Sequence, residues 1–595
     1  RELSGKTADS RDTAALNAAA YQKLIIMNKL SEGHLQRQKE EAAAFGYQPL
    51  ISIVTPVYNP PPHVLRDTLD SVLQQTYGHW ELCLADGNSD ASGVRSVLEE
   101  YARRDKRIRL LLLESNLGIS GNSNAALKMA DGDFVQFLDH DDILEPDALF
   151  EAVRLLNRDH ALDVVYFDED KLSADGRERR DPFFKPDWSP EMLLSANYLT
   201  HALMRRSVVI EAGLFDPTTD GAQDWDLAFR VTERTRAIAH IPRVLYHWRQ
   251  IGGSTAGDFN AKSWVFDTQA RCVENHLQRT GIAQAKVTSP APGLLRVLWP
   301  IKGQKISIII PTFEKSDILR RCIDSITQKT THPNYEIILV DNGSVGEETL
   351  SYYQTLRGDP RIAFVAYPEA FNYSKANNLG ARRATGEILL FLNNDVEILE
   401  PDWLEELARW AERPEIGVVG TKLLYPDMSI QHAGVVVGME SHASHVFWGA
   451  REKQGTPFGS VDWYRDYSAV TGACMMMRRE VFDTIGGFNE GYVLAFSDIE
   501  ICIRAVRHGY RIVYTPFARL THYEGKTRGS HIPTNDIELG RDHFYQLIEA
   551  GDPYYNPNLS YNHRMPMVAR ADEETRLERL NRIVEQFRQR STVQE

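Results

Sequence analysis

Residues 51–59 read ISIVTPVYN, residues 84–90 LADGNSD and residues 134–142 FVQFLDHDD. The same succession returns as ISIIIPTFE (306–314), LVDNGS (339–344) and ILLFLNNDV (388–396). Each copy runs on to a further acid, in AQDWDL around Asp224 and in FSDIEI around Asp498. Each then reaches a histidine, His247 in LYHWR and His522 in LTHYE. The shift between copies is about 254–255 residues, a domain-sized period rather than that of a solenoid. A repeated order of strand, acid, acid, acid and histidine predicts a repeated active-site layout.

Working outward, 51–54 and 306–310 are short, continuous apolar runs, the pattern of strands buried on both faces of a parallel sheet. Helices are expected at 65–74 and 318–327. Strands 81–85 and 336–340 each lead into an acid, and 134–138 and 388–392 end on DHDD and NNDV. Every charged cluster therefore sits at the carboxyl end of a strand, the edge where open α/β sheets bind ligands. The expected fold class is α/β, with two tandem, mostly parallel-sheet domains. Residues 1–48 read as a helical N-terminal extension, 49–290 as the first domain and 291–552 as the second. SPAPG (289–293) marks the linker, and 553–595 form a tail carrying a helix.

The 595 residues carry 67 basic against 82 acidic side chains, a formal charge of −15, which argues against a general nucleic-acid binder. The five cysteines are scattered without CxxC spacing and lie inside apolar patterns, so buried reduced thiols in a cytoplasmic protein are expected. No apolar run is long enough to span a bilayer. No secretory signal pattern is read, although the chain starts at Arg1, which weakens that last expectation.

The LDHDD segment (138–142) places three carboxylates within four residues, a costly arrangement unless a cation or strong donors neutralise it. Mg²⁺ or Mn²⁺ holding a nucleotide diphosphate would do so, since both take hard oxygen ligands. A solvated turn capping the next helix is the plainer reading. Recurrence at the same place in both copies favours the cation. Asp86 and Asp341, each ending a second strand, could accept the N3–H of uracil or thymine, or simply close turns. Asp224 and Asp498 each open an apolar helical run, as caps or as general bases toward an acceptor hydroxyl. Asp226 and Glu500, two residues on, compete for that role. His247 and His522, beside aromatic residues, could complete a coordination sphere, and an imidazole ligand would favour Mn²⁺ over Mg²⁺.

With these motifs the chain resembles the family 2 glycosyltransferases of GT-A fold, in particular tandem-domain proteins of bacterial O-antigen and rhamnan-type polysaccharide synthesis. Further markers are VVYFDEDKLS (164–173), FFKPDWSPEMLLSANYL (183–199), FNYSKANNLGA (371–381), KLLYPDMSIQHAGVVVG (422–438) and TGACMMMRREVFDTIGGFNE (471–490). The resemblance implies nucleotide-diphosphate sugar donors, UDP- or dTDP-linked, and an inverting single displacement. It implies Asp86 and Asp341 at the base, with Pro56, Tyr58, Pro311 and Phe313 alongside. Asp139 and Asp141, with Asn393 and Asp395 in the second copy, match the DxD region. Within it Asp139 and Asn393 would grip the donor, and Asp141 and Asp395 the metal. His247 and His522 match the metal-side histidine, and Asp224 and Asp498 the catalytic base. The implied partner is a growing, lipid-linked surface glycan, with the protein cytoplasmic and peripheral to the inner face of the membrane.

The copies also differ. Asn393 replaces an acid, and Val396 stands where the first copy has Asp142. The second copy carries extra sequence over 438–450, expected to form either an acceptor or lid loop, with His442, His445, Phe447 and Trp448 free to stack on sugars, or a disordered loop. One catalytic domain paired with a degenerate glycan-binding domain is the rival reading. A transferase acting on a protein such as flagellin is another. A dinucleotide oxidoreductase is disfavoured, since neither first turn carries a glycine-rich phosphate fingerprint.

Overall fold

The computed structural model describes residues 10–90, 92–251, 263–523 and 532–594. They form two compact α/β units, Arg1–Trp188 with Ala196–Leu295, and Ser189–Ser195 with Arg296–Glu595. Helices at Ser10–Asn28 and Glu32–Ala43 precede the first sheet, and a helix at Arg576–Gln594 ends the chain.

The strands of the first unit are β1 (Ile51–Val57), β2 (Trp80–Asp86), β3 (Ile108–Leu112), β4 (Phe134–Phe137), β5 (Ile143–Leu144), β6 (Val164–Leu172), β7 (Arg179–Phe183), β8 (Leu203–Arg205) and β9 (Ile238–Arg249). They lie in the order β3-β2-β1-β4-β8-β6-β9-β5, with β7 beside β6. The neighbours β3, β2, β1 and β4 are parallel. Every residue of β1 and β2 is buried, as their unbroken apolar runs require. The second unit repeats the order strand for strand: Ile362–Ala366, Tyr335–Asp341, Ile306–Thr312, Ile388–Leu392, Cys474–Arg478, Ile416–Leu424, Arg511–His522, Val396–Ile398. The repeat in the sequence is thus a repeat in topology.

The same buried junction fastens the fourth strand to the first two in each unit. The Ser52 hydroxyl donates to Glu81 at 2.6 Å and accepts the Gly132 N–H at 2.9 Å. Ser307 donates to Glu336 at 2.7 Å and accepts the Gly386 N–H at 2.9 Å. Only glycine fits there, because a Cβ would fall 2.6 Å from the Leu50 carbonyl at Gly132 and 2.4 Å from the Lys305 carbonyl at Gly386.

All five cysteines are buried free thiols. The expected lid over 438–450 is instead a short hairpin, Val435–Val437 against Ala443–His445. Phe447 is fully buried, and His442 is buried with its Nε2 on the Ile537 carbonyl, so neither is available to stack on a sugar. Trp448 is half-buried and donates to the Tyr425 hydroxyl at 2.9 Å. Apolar residues inside the added segment pulled it into the core.

Candidate functional site

In both units the last but one residue of the first strand is a buried proline, Pro56 or Pro311, and the residue just after the strand is an outward-turned aromatic. Tyr58 is 44 % exposed and Phe313 53 %, unusual for rings beside a buried sheet. The adjacent strand end brings Asp86 level with Val57 and Asp341 level with Thr312. Both aspartates close the turn that follows them. Asp86 accepts the Ser89 hydroxyl at 2.5 Å, while Asp341 accepts the Ser344 N–H at 3.2 Å and the Tyr353 hydroxyl at 2.8 Å.

The acids after β4 are fastened from β9. The Asp139 N–H donates to the Tyr246 hydroxyl at 3.3 Å, and that hydroxyl donates to Asp142 at 2.5 Å. The Arg249 N–H donates to the other Asp142 oxygen at 2.8 Å, and its Nε to the Asp141 carbonyl at 2.9 Å. Desolvation, reinforced by the charges of Asp141 and Asp224, pushes the Asp139 carboxyl up to about 7. Burial, with Asp141 and Asp139 adding to it, also raises Asp142 well above the ordinary range. Asp224 stands in the first turn of the helix Gln223–Thr232, half-buried, accepting Asn197 Nδ2 at 2.9 Å and the Thr200 hydroxyl at 3.3 Å. Burial raises its pKa in turn. Asp139 feels the charges of Asp141 and Asp224, and the fully buried Asp142 those of Asp141 and Asp139, a gathering of like charges that a cation would relieve.

His247 is not on that rim. Its Nδ1 lies 2.6 Å from Asp170 and its Nε2 2.7 Å from Glu145. Burial alone would lower its pKa, but Asp170 and Glu145 outweigh burial and raise it. Both nitrogens are engaged by carboxylates that belong to neither the DHDD segment nor Asp224, so the structure does not bring His247 together with the acids expected to share its ion. A different histidine, His201, which no sequence motif pointed to, lies beside these acids. Ligand atoms of Asp139, Asp142 and His201 lie within 4.8 Å of one another, the only such group among the described residues. Burial holds the His201 imidazole down to about 3, hence neutral. The one visible signal was THA (200–202) facing TGA (471–473) in the repeat.

In the second unit the histidine does face the acids. His522 Nε2 lies 3.1 Å from Asp395 Oδ1 and 3.4 Å from Asn393 Nδ2, while Nδ1 lies 2.7 Å from Gln431 Oε1. Both nitrogens of this ring thus have acceptors beside them, an amide oxygen on Nδ1 and the Asp395 carboxylate on Nε2. Neighbouring ligands around an ion with bonds of about 2.1 Å are about 3 Å apart, which suits this pair. Asn393, Asp395 and His522 are therefore brought together as the sequence suggested.

The four candidates for the base differ in their ion pairs. Asp226 is closed by Arg230 at 2.7 Å and Arg279 at 3.4 Å, and Glu500 by Arg504 at 2.6 Å. Among the described residues Asp224 and Asp498 make hydrogen bonds but no ion pair. Asp498 accepts the Gly472 N–H at 2.8 Å, and the next residue, Ala473, accepts the Asn393 N–H at 3.0 Å, tying base to strand end. Burial raises Asp498 as it does Asp224.

The description glycosyl transferase family 2 matches residues 52–213 and again 307–486. The O-antigen biosynthesis protein RfbC of Myxococcus xanthus is 41 % identical over 527 residues, covering 88 % of this chain and 41 % of that protein. The uncharacterized protein y4gI of Sinorhizobium fredii is 41 % identical over 525 residues, 86 % of this chain and 58 % of its own length. The chain thus spans about half the length of these curated relatives. The crystal structure of S. aureus TarS 1–349 with UDP-GlcNAc shares 20 % identity over 38 % of this chain and 66 % of that one, at a TM-score of 0.33. Among the described residues no helix is long and apolar enough to cross a membrane. With the family pattern falling twice on the two acid-rimmed sheets, the chain belongs to glycosyl transferase family 2.

Proposed function

We propose that each unit transfers a sugar, with inversion, from a nucleotide-diphosphate donor to a growing bacterial surface glycan of the O-antigen kind. The observation that carries this reading is that Asp224 is near enough to raise the Asp139 carboxyl and, among the described residues, is held by Asn197 and Thr200 rather than by a basic side chain. In the second unit Asp498 holds the corresponding place. The donor's base lies along Tyr58 and Asp86, or Phe313 and Asp341, and is uracil or thymine. Asp139 and Asn393 approach the donor's sugar and phosphates. A Mn²⁺ or Mg²⁺ ion held by the strand-end acids would neutralise the leaving diphosphate. Asp224 or Asp498 takes the proton of the acceptor hydroxyl as its oxygen bonds to the anomeric carbon and the bond to the diphosphate breaks. Burial makes both carboxylates stronger bases than free aspartate, which suits that role. The name of the Myxococcus relative supports the glycan as acceptor class, and a lipid-linked acceptor at the inner membrane face completes the reading.

A second reading is favoured by one observation: Asn393 and Val396 remove two carboxylates that the first unit keeps. On that reading the second unit binds glycan and does not catalyse. The test is donor hydrolysis by the full chain with Mn²⁺ against a panel of UDP- and dTDP-sugars. Turnover of at least one donor is expected. Failure of every member of the panel, with and without glycan acceptors, removes the proposal.

A further inference from the structure

We propose that the first unit takes its cation between Asp139, Asp142 and His201, so that its imidazole ligand comes from the edge of β8 rather than from the end of β9. The proposal deepens the donor-site reading of the first unit and rests on it.

Three observations beyond the acidic cluster carry it. His201 is 9 % exposed, and among the described residues neither ring nitrogen makes a hydrogen bond to protein. A neutral imidazole without a protein partner keeps a lone pair for a cation. Its backbone sits at φ +63°, a strained setting for a residue with a Cβ, and its ring lies flat on Tyr246 at 3.8 Å and 7°. Tyr246 is also the residue that grips Asp142, so one side chain orients two of the ligands. Finally, both nitrogens of His247 are engaged by Asp170 and Glu145, which are not members of this group.

The second unit cannot form this site. The repeat puts Asn393, Val396 and Gly472 at the three positions, and its imidazole comes from His522. The equivalence of His201 with Gly472 is supported by the preceding threonines, since Thr200 bonds Asp224 and Thr471 bonds Asp498. Two copies of one fold thereby grip a cation from opposite sides.

The test uses the full chain carrying His522→Gln, which removes the second unit's imidazole, loaded with Mn²⁺ and read by pulsed electron paramagnetic resonance for nitrogen coupling. Coupling is expected in this background and with His247→Gln added. It is expected to vanish with His201→Asn, while Mn²⁺ affinity at that site falls at least about tenfold. Asparagine tolerates the left-handed backbone, and His201→Gln serves as the second variant. Absence of nitrogen coupling in the His522→Gln chain overturns the proposal without any His201 variant. So does its loss with His247→Gln, or its survival in either His201 variant. Transfer assays run alongside keep the two readings apart. A chain that binds Mn²⁺ through His201 yet transfers no sugar retains this site and loses the proposed function.

Discussion

His247 and His522 end the same long strand of the same fold, yet one is an ion-pair partner and the other faces the site. A one-residue difference in pairing separates them. β9 sets His247 opposite Ile143, whereas the second unit sets His522 opposite Val396, the counterpart of Asp142. Because side chains alternate along a strand, that slip sends the two imidazoles to different surroundings. His247 is therefore expected to behave as a structural cation. Its raised pKa means that its stabilisation is fully present below about pH 6.5, the unfolded value, and is lost as pH rises through the folded value. His247→Gln should cost about 2–3 kcal/mol at pH 6 and progressively less toward pH 9, as read by urea melts across that range. A constant difference would show that the ring is neutral. The neighbouring carboxylates identify the residue's role better than the motif did.

The junction of the fourth strand with the first two operates at the scale of elements. In the second unit, burial opposes the charge of Glu336, but hydrogen bonds from Lys305, Ser307 and Thr385 outweigh it and take the carboxyl down to about 2. A depressed carboxylate pKa gives stability that is present above the unfolded value of about 4.3 and lost as pH falls toward 2. Glu336→Gln should therefore cost of order 2 kcal/mol at neutral pH and much less at pH 2–3, measured by unfolding at each pH. Gly386→Ala pushes a Cβ to 2.4 Å from the Lys305 carbonyl and should cost about 2–3 kcal/mol at any pH, in the same melts. These junctions were not visible in the motifs, because Ser52 and Ser307 are single hydroxyls inside apolar runs. Their meaning depends on Glu81 and Glu336, which reach them from the next strand.

For the whole molecule, the question is whether one chain carries out two transfers. Asp224→Asn and Asp498→Asn, made separately in the full chain, should each abolish one transfer by about 10²–10⁴-fold while leaving the other intact. The measurement is product length and composition with a glycan primer and the donors that turn over. If Asp498→Asn leaves the products unchanged and alters only primer affinity, the second unit is a binding module, as its missing carboxylates would allow. Removal of divalent cations by chelation should suppress the first unit's transfer, with its three candidate ligands, by at least about tenfold. A transfer undiminished after chelation would remove the cation from the mechanism.

The α/β class, the duplication and the placing of acids at strand ends followed from the sequence alone. Continuous apolar runs can only be buried strands, and the acids that end them must then line the sheet's carboxyl edge. Asp224 and Asp498 could be named but not separated from Asp226 and Glu500, since the distinguishing ion pairs reach Asp226 from Arg230 and Arg279 and Glu500 from Arg504. Which histidine meets the acids was decided only by tertiary structure. Strand register and the approach of β8 bring residues 62 positions apart, Asp139 and His201, within reach of one ion. Local sequence encodes which residues can point along a strand, but only packing between strands decides what they point at.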